Sequence, residues 1–150
     1  MKKNLLQPEA AESIIARVQK LQPTDKARWG RMTATEMLRH ANLCNEEVFT
    51  ESDLNPPTSP KQFLLRILAL YMAPQFKKNI KGAPKNETAG KIDASHFAEE
   101  KEKFIQLVRR FPQHKGPITL HHIAFGNLST QQWGIALYKH MDHHLRQFGA

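Results

Sequence analysis

The C-terminal segment that begins at Ser129 constrains the fold most, because its apolar and histidine side chains recur at helical spacing. Trp133, Leu137, His140 and His144 are separated by four, three and four residues. At 3.6 residues per turn, these four positions fall within a sector of roughly 60° on one helix face. The segment therefore predicts a helix that continues to about Gln147, with two histidines four residues apart on its inward face.

Four further segments have helical periodicity, and none predicts a strand convincingly. The second and the fifth predicted helices begin with a capping-box pattern, a Thr or Ser followed three residues later by Glu or Gln. The residues from about Ala73 to Asp93 are polar and interrupted by Pro and Gly, which is typical of a long loop. Helices joined by turns predict a bundle of four main helices plus an extra one. The other predicted helices run from Pro8 to Leu21, from Thr33 to about Glu51, after the loop Asn55–Pro60 through Phe63 to Tyr71, and from about Ser95 to Phe111.

Length and composition favour one domain over residues 1–150. The chain has 150 residues and 40% hydrophobic residues, enough for one core. Its single cysteine, Cys44, excludes an intramolecular disulfide. The most apolar stretch, Phe63 to Met72, is short and contains Arg66, so it cannot span a bilayer. We expect a cytoplasmic protein with no membrane partner.

The charge of the chain leaves one alternative function open. Lys and Arg exceed Asp and Glu by 22 to 14, a net charge of +8. Such an excess attracts nucleic acid or other anions. The basic residues are scattered, however, and neither zinc-finger spacing nor an aromatic RNA-binding pattern is present. Nucleic acid is therefore not the expected partner, and a basic nucleic-acid-binding helical module with incidental histidines is the alternative.

Three histidines form the candidate metal site. His140 and His144 project from one face of the last helix, and His40 borders the inward face of the second. Burying imidazoles is costly unless each ring nitrogen has a partner, and a metal ion supplies one. Three neutral imidazoles suit zinc, nickel or a similar divalent ion and leave part of its coordination sphere open.

Two longer motifs resemble a known family. The first runs from Trp29 to His40, with the sequence Trp-Gly-Arg-Met-Thr-Ala-Thr-Glu-Met-Leu-Arg-His. The second runs from Phe125 to Trp133 and continues through the histidine pair to Phe148. Together they resemble the DinB-like superfamily of metalloenzymes, and more narrowly a branch of it whose function is uncharacterised. The resemblance covers both ends of the chain and the order of its helices.

The resemblance implies both a fold and a ligand set. The family fold is an up-down four-helix bundle, so we expect an all-α bundle with an additional N-terminal helix and a long loop between the third and fourth helices. The family's metal triad falls here on His40, His140 and His144. Known members include thiol-dependent transferases and isomerases, which implies a small-molecule substrate and makes a low-molecular-weight thiol one candidate. A homodimer is compatible with the resemblance.

Four residues near these motifs have open roles. His122 precedes the last helix and is interpreted as a surface-loop histidine that could reach the rim of the site. His143 lies on the flank of the apolar stripe, so it is a weaker ligand candidate than its neighbour. Glu47 is interpreted as half of a surface ion pair, and Cys44 as a small buried thiol with a soft-ligand alternative. No catalytic residue is predicted, and a non-catalytic oligomerising module is a further alternative.

Overall fold

The computed structural model of the chain describes residues 2–50 and 56–150. These residues form five α-helices, which we label in chain order, and one two-stranded antiparallel sheet. The predicted end of the second helix near Glu51 lies outside the described residues. The elements are α1 (Pro8–Gln19), α2 (Ala34–Val48), α3 (Pro60–Ile67), α4 (Phe97–Arg110), β1 (His121–His122), β2 (Gly126–Asn127) and α5 (Thr130–Gln147).

Both predicted capping boxes are confirmed. At the start of α2, the Thr33 hydroxyl accepts from the Glu36 amide, while the Glu36 carboxylate accepts from the Thr33 amide. Ser129 and Gln132 make the same reciprocal pair at the start of α5. Each box satisfies two amides that the first helical turn leaves without a partner. The two helices that carry the histidines thus begin at fixed positions.

The predicted all-α bundle is confirmed, and its four core helices are α1, α2, α4 and α5. Helix α2 packs against α4 and α5, and α1 packs against the same two helices. Their apolar stripes meet in one core. Among the fully buried side chains of this core are Ile14, Val18, Met37, Leu38, Phe104, Val108, Met141 and Leu145.

The additional helix of the fold is α3, not the N-terminal helix that the sequence analysis predicted. Helix α1 buries Ile14, Ile15 and Val18 between α4 and α5 and is an integral member of the bundle. Every residue of α3, in contrast, is exposed or half-buried. A short π-helical turn, Leu68–Met72, continues α3 and buries only Leu70. The periodicity of α3 marked an apolar stripe but could not show that the core already had four helices.

The predicted long loop lies between Met72 and α4 and is attached to the N-terminal turn of α2. Thr88 donates its hydroxyl proton to the Glu36 carbonyl oxygen at 2.6 Å. The Gly90 amide donates to Oε1 of the Glu36 side chain at 2.6 Å. These bonds hold the short 3₁₀ turn Pro84–Asn86 against α2. The loop therefore contributes one residue, Asn86, to the surroundings of His40.

Two further features complete the fold. The hairpin of β1 and β2 precedes α5 and was not predicted, because strands of two residues have no readable periodicity. Across residues 2–50 and 56–150, no helix combines the length and the apolar character needed to cross a bilayer.

Candidate metal centre

Three imidazoles from two helices converge between α2 and α5. Nε2 of His140 lies 3.3 Å from Nε2 of His40 and 3.0 Å from Nε2 of His144. Two nitrogens bound to one zinc ion in tetrahedral geometry would be about 3.3 Å apart, given Zn–N distances of 2.0–2.1 Å. The structure therefore brings together the three histidines that the sequence analysis singled out. His140 and His144 lie one turn apart on α5, and His40 faces them from α2.

The outer nitrogens of two of these rings are fixed by hydrogen bonds. Nδ1 of His40 lies 2.7 Å from the carbonyl oxygen of Asn86. Nδ1 of His144 lies 2.9 Å from Oε1 of Gln147. Both oxygens can only accept, so each Nδ1 carries the proton and each neutral ring presents an unprotonated Nε2. Such hydrogen bonds to the outer nitrogen orient histidines toward a metal ion.

The orientation of the Gln147 amide is itself fixed. Its Nε2 donates to the carbonyl oxygen of Trp29 at 2.7 Å, which turns Oε1 toward His144. Gly30 makes this contact possible, since a Cβ at that position would lie 2.8 Å from Nε2 of Gln147. Gly30 also has a φ of +79°, which glycine adopts without strain. The Trp-Gly motif thus supports the histidine pair from outside.

The neutral state of the three rings follows from their burial. Burial lowers the pKa of His144 to about 3 and lowers the pKa of His140 well below its ordinary value. Burial also lowers the pKa of His40, against the opposing hydrogen bond to Asn86. Neighbouring imidazoles lower the pKa of His140 and His144 further, because a second positive charge nearby is unfavourable.

Neutral rings leave one nitrogen contact without a proton. Nε2 of His40 and Nε2 of His144 both present lone pairs toward Nε2 of His140. His140 can donate one proton from that nitrogen, so it can satisfy one contact and leaves the lone pair of the other ring without a donor. A cation between the rings would satisfy all three nitrogens. The donor set of the site therefore fits a metal ion.

Cys44 lies beside the imidazoles, one helical turn after His40. Its Sγ is 3.9 Å from Nε2 of His40, and it accepts from Nδ2 of Asn86 at 3.4 Å. His40, Cys44 and His140 offer ligand atoms that all lie within 4.8 Å of one another, a group that could hold a metal ion. Burial, and then the nearby Glu47 carboxylate, raise the pKa of the thiol to about 12 in the metal-free protein. The predicted buried thiol is thus half-buried and next to the candidate ligands.

Glu47 closes the same side of the site. Its carboxylate pairs with the Lys85 ammonium and accepts from Nδ2 of Asn86 at 3.2 Å. The ion-pair interpretation from the sequence is confirmed, and the partner comes from the long loop. Because Asn86 contacts His40, Cys44 and Glu47, one loop residue joins the imidazole, the thiol and the carboxylate.

The whole chain, residues 1–150, matches the model of a family described as "Protein of unknown function (DUF1569)". The chain belongs to this family. No curated protein and no solved structure matches it.

In this DUF1569 member, His122 is not a surface-loop side chain. Its ring is half-buried, stacks on Phe125 with centroids 4.3 Å apart, and packs against Trp133 at 5.3 Å. Its Nδ1 accepts from the amides of Ala124 and Phe125, so the neutral ring carries its proton on Nε2. Burial lowers its pKa to about 4. The hairpin, which the sequence did not reveal, buries this ring.

His143 lies beside the three converging rings: its ring packs edge-on against that of His144, with centroids 5.2 Å apart. It packs edge-on against Trp29, with ring centroids 5.4 Å apart. Its neighbour Asp142 bonds Arg17 at 2.8 Å and Arg146 at 2.9 Å, as expected for a residue on the opposite face from the histidine pair. The ranking of His144 above His143 as a ligand stays a prediction, which rests on the 3.0 Å contact between His144 and His140.

Two residues of the site were missed by sequence reasoning. Gln147 follows His144 by three residues, a helical spacing that could have identified it as a hydrogen-bond partner. Asn86 lies in an irregular segment and reaches His40 only because the chain folds back, so no local pattern could have identified it.

Proposed function

We propose that this protein is a metal-dependent enzyme of the DinB-like superfamily, with His40, His140 and His144 holding a divalent ion. One observation carries the proposal: two Nε2 contacts of 3.3 and 3.0 Å converge on His140, among rings that burial keeps neutral. The order of the helices and the position of the three histidines on the second and last helices support the proposal, together with the resemblance of the two sequence motifs.

Imidazole donors with a thiol nearby favour zinc or nickel over magnesium or calcium, which prefer oxygen ligands. Such an ion would supply Lewis-acid chemistry toward a small-molecule substrate, for which a low-molecular-weight thiol is our candidate. The residues around the site would do the rest. Asn86 and Gln147 hold the rings of His40 and His144 in the tautomer that binds metal. Glu47 holds a carboxylate beside Cys44 and could accept a proton there.

The metal content of untagged protein tests the proposal. We expect about one zinc or nickel ion per chain by elemental analysis, since the triad is one site. His140→Ala and His144→Ala should each reduce the content to near zero while the helical circular dichroism is retained. His96→Ala is the matched control, because His96 is exposed and lies before α4. Full metal content in both α5 variants would show that the ligand assignment is wrong.

Cys44 supports a second candidate, a metal site that stabilises the fold without catalysis. His40 and Cys44 on α2 are spaced by four residues, as are His140 and His144 on α5, so two helices face each other with one ligand pair each. Four protein ligands are typical of structural zinc sites, whereas catalytic sites keep a position open.

Cobalt substitution separates the two candidates. A cobalt ion bound by the Cys44 thiolate would give an intense near-ultraviolet charge-transfer band that Cys44→Ser abolishes. We expect cobalt to bind without this band in the catalytic case, and Cys44→Ser then leaves the affinity for zinc within about threefold, since a ligand would not be lost. A strong band that disappears with a large loss of affinity would favour the structural candidate.

A further inference from the structure

Helix α3 has the opposite polarity from a normal surface helix. The large apolar side chains of α3 and its π-helical extension face outward, with Leu64 exposed by 60% and Met72 by 69%. In a soluble protein, an amphipathic helix normally buries this face. Exposed in the same region are Phe63, Leu65, Leu68, Tyr71 and Ile80.

The polar side chains of α3 attach it to the protein. Gln62 donates to the Ile123 carbonyl oxygen at 3.1 Å, and Arg66 donates to the Asn127 carbonyl oxygen at 2.7 Å. On the other side, the Lys139 ammonium donates to the carbonyl oxygens of Ala69 and Ala73 at the end of the π-helical turn. The helix is therefore held in a defined orientation with its apolar face outward.

The exposed apolar side chains are concentrated in one segment of the chain. Of the eight large apolar side chains that are exposed in the described part of the chain, seven lie between Phe63 and Ile80. The eighth is the side chain of Ile123, which is 68% exposed. The carbonyl oxygen of the same residue accepts the hydrogen bond from Gln62 of α3. We call the six side chains on α3 and its π-helical turn, together with Ile123, the α3 surface. An exposed cluster of this extent is typical of a binding site rather than of scattered surface residues.

The sequence segment that contains α3 is basic. From Pro56 to Asn86 the sequence contains six Lys or Arg residues and no Asp or Glu. Lys85 pairs with Glu47 outside this segment. The partner of the α3 surface must therefore accept apolar side chains and complement positive charge.

We propose that the α3 surface docks on a bilayer that contains anionic lipids. A basic amphipathic helix with an aliphatic face lies in the membrane interface, where apolar side chains enter the acyl boundary and cations contact headgroups. Pairing two copies through this surface would place two acid-free basic segments against each other, which is unfavourable. Nucleic acid would complement the charge but would leave the aliphatic side chains without a partner. Surface association needs no spanning helix, and it does not depend on the metal centre.

Vesicle co-sedimentation of the full-length protein tests this proposal. In about 0.1 M salt, where charges are screened beyond about 10 Å, we expect binding to phosphatidylcholine vesicles that contain roughly one-third phosphatidylglycerol. Binding to pure phosphatidylcholine should be at least about tenfold weaker. The double variant Leu64→Glu, Met72→Glu should reduce binding to the mixed vesicles at least about tenfold, because it places charge in the apolar face.

A variant with the same added charge elsewhere is the matched control. Gln19→Glu with Gln113→Glu changes two exposed residues outside the α3 surface and should keep most of the binding. Equal loss in both variants would mean that net charge alone binds the vesicles and would overturn the assignment. The proposal also fails if the native protein does not sediment with mixed vesicles. A dimer in light scattering that the Leu64→Glu, Met72→Glu variant makes monomeric, without vesicle binding, would assign the surface to a second copy instead.

Discussion

Helices α5 and α3 use their faces in opposite ways. On α5, polar histidines point into the bundle, and Nδ1 of His144 has a hydrogen-bond partner in Gln147. On α3, polar side chains attach the helix to the protein while Leu64 and its neighbours remain in solvent. The contrast shows two distinct departures from ordinary helix burial. An inward polar group needs partners built by the fold, whereas an outward apolar group needs a partner from outside.

The largest effect that separates these helices is a core truncation. Leu145 of α5 is fully buried, so Leu145→Ala should destabilise the protein by about 2–5 kcal/mol. Leu64 on α3 is 60% exposed, so Leu64→Ala should change the free energy of unfolding by no more than about 0.5 kcal/mol. Urea denaturation of both variants measures the difference. A large cost for Leu64→Ala would indicate that the α3 surface is already covered in solution.

Acidification should act through the inward histidines. An unfolded His144 has a pKa near 6.5, and burial lowers it to about 3 in the folded protein. Above pH 6.5 the ring is neutral in both states. Below it only the unfolded chain takes up the proton, so stability is lost as the pH falls toward 3, by roughly 2 kcal/mol between pH 6.5 and 5. His122 acts in the same direction, with a folded pKa of about 4.

Chemical denaturation of chelator-treated protein at several pH values measures this loss. His144→Asn should reduce the proton uptake on unfolding by about one in this range. His96→Asn, at an exposed position, is the control that should retain it. A pH-independent stability between 7 and 5 would contradict the buried neutral state of these rings.

Removing an outer hydrogen bond should weaken metal binding without removing a ligand. Gln147→Leu takes away the acceptor of the His144 Nδ1 proton, and losses of such partners reduce metal affinity by about 10- to 100-fold. Competition with a chromogenic chelator measures the affinity. Gln106→Leu on α4 is an exposed control with the same change of side chain, and we expect unchanged affinity. Equal affinity in both variants would mean that Gln147 does not orient the ring.

The smallest expected effect compares two glycines with similar backbone conformations. Gly30 and Gly90 have φ values of +79° and +74°, so alanine costs about 1 kcal/mol of strain at either position. Only at Gly30 would the added Cβ meet a neighbour, Nε2 of Gln147 at 2.8 Å; around Gly90 nothing lies within 4 Å. Gly30→Ala should therefore also weaken metal binding, and Gly90→Ala should not. Thermal unfolding and chelator competition distinguish the two contributions.

Most of the fold could be predicted from local patterns. The capping boxes at Thr33 and Ser129 and the apolar stripes identified where the helices of the bundle lie. The position of α3 could not be predicted, because periodicity shows that a helix has an apolar face but not whether other helices have filled the core. The sequence therefore assigned the extra helix to the N-terminus, while the structure places it after α2.

The candidate site likewise has residues that local patterns predicted and one that they could not predict. The spacing of His140 and His144 placed them on one inward face. The position of His40 on the inward face of the second helix added it to the set, and the resemblance implied the same three residues. The hydrogen bond from His40 to Asn86 spans 46 residues and depends on how the long loop attaches to α2. Such a contact requires the tertiary structure, because neither spacing nor composition around Asn86 differs from an ordinary polar turn.

Asn86 connects the metal centre to a loop turn whose mobility can be measured. Its carbonyl oxygen accepts a hydrogen bond from Nδ1 of His40, while its side-chain amide contacts Cys44 and Glu47. An event that fixes the His40 ring must also restrain this peptide unit and the 3₁₀ turn that contains it. Occupancy of the centre should consequently be visible as slower deuterium uptake and slower protease cleavage around residues 84–88, without any probe inside the bundle.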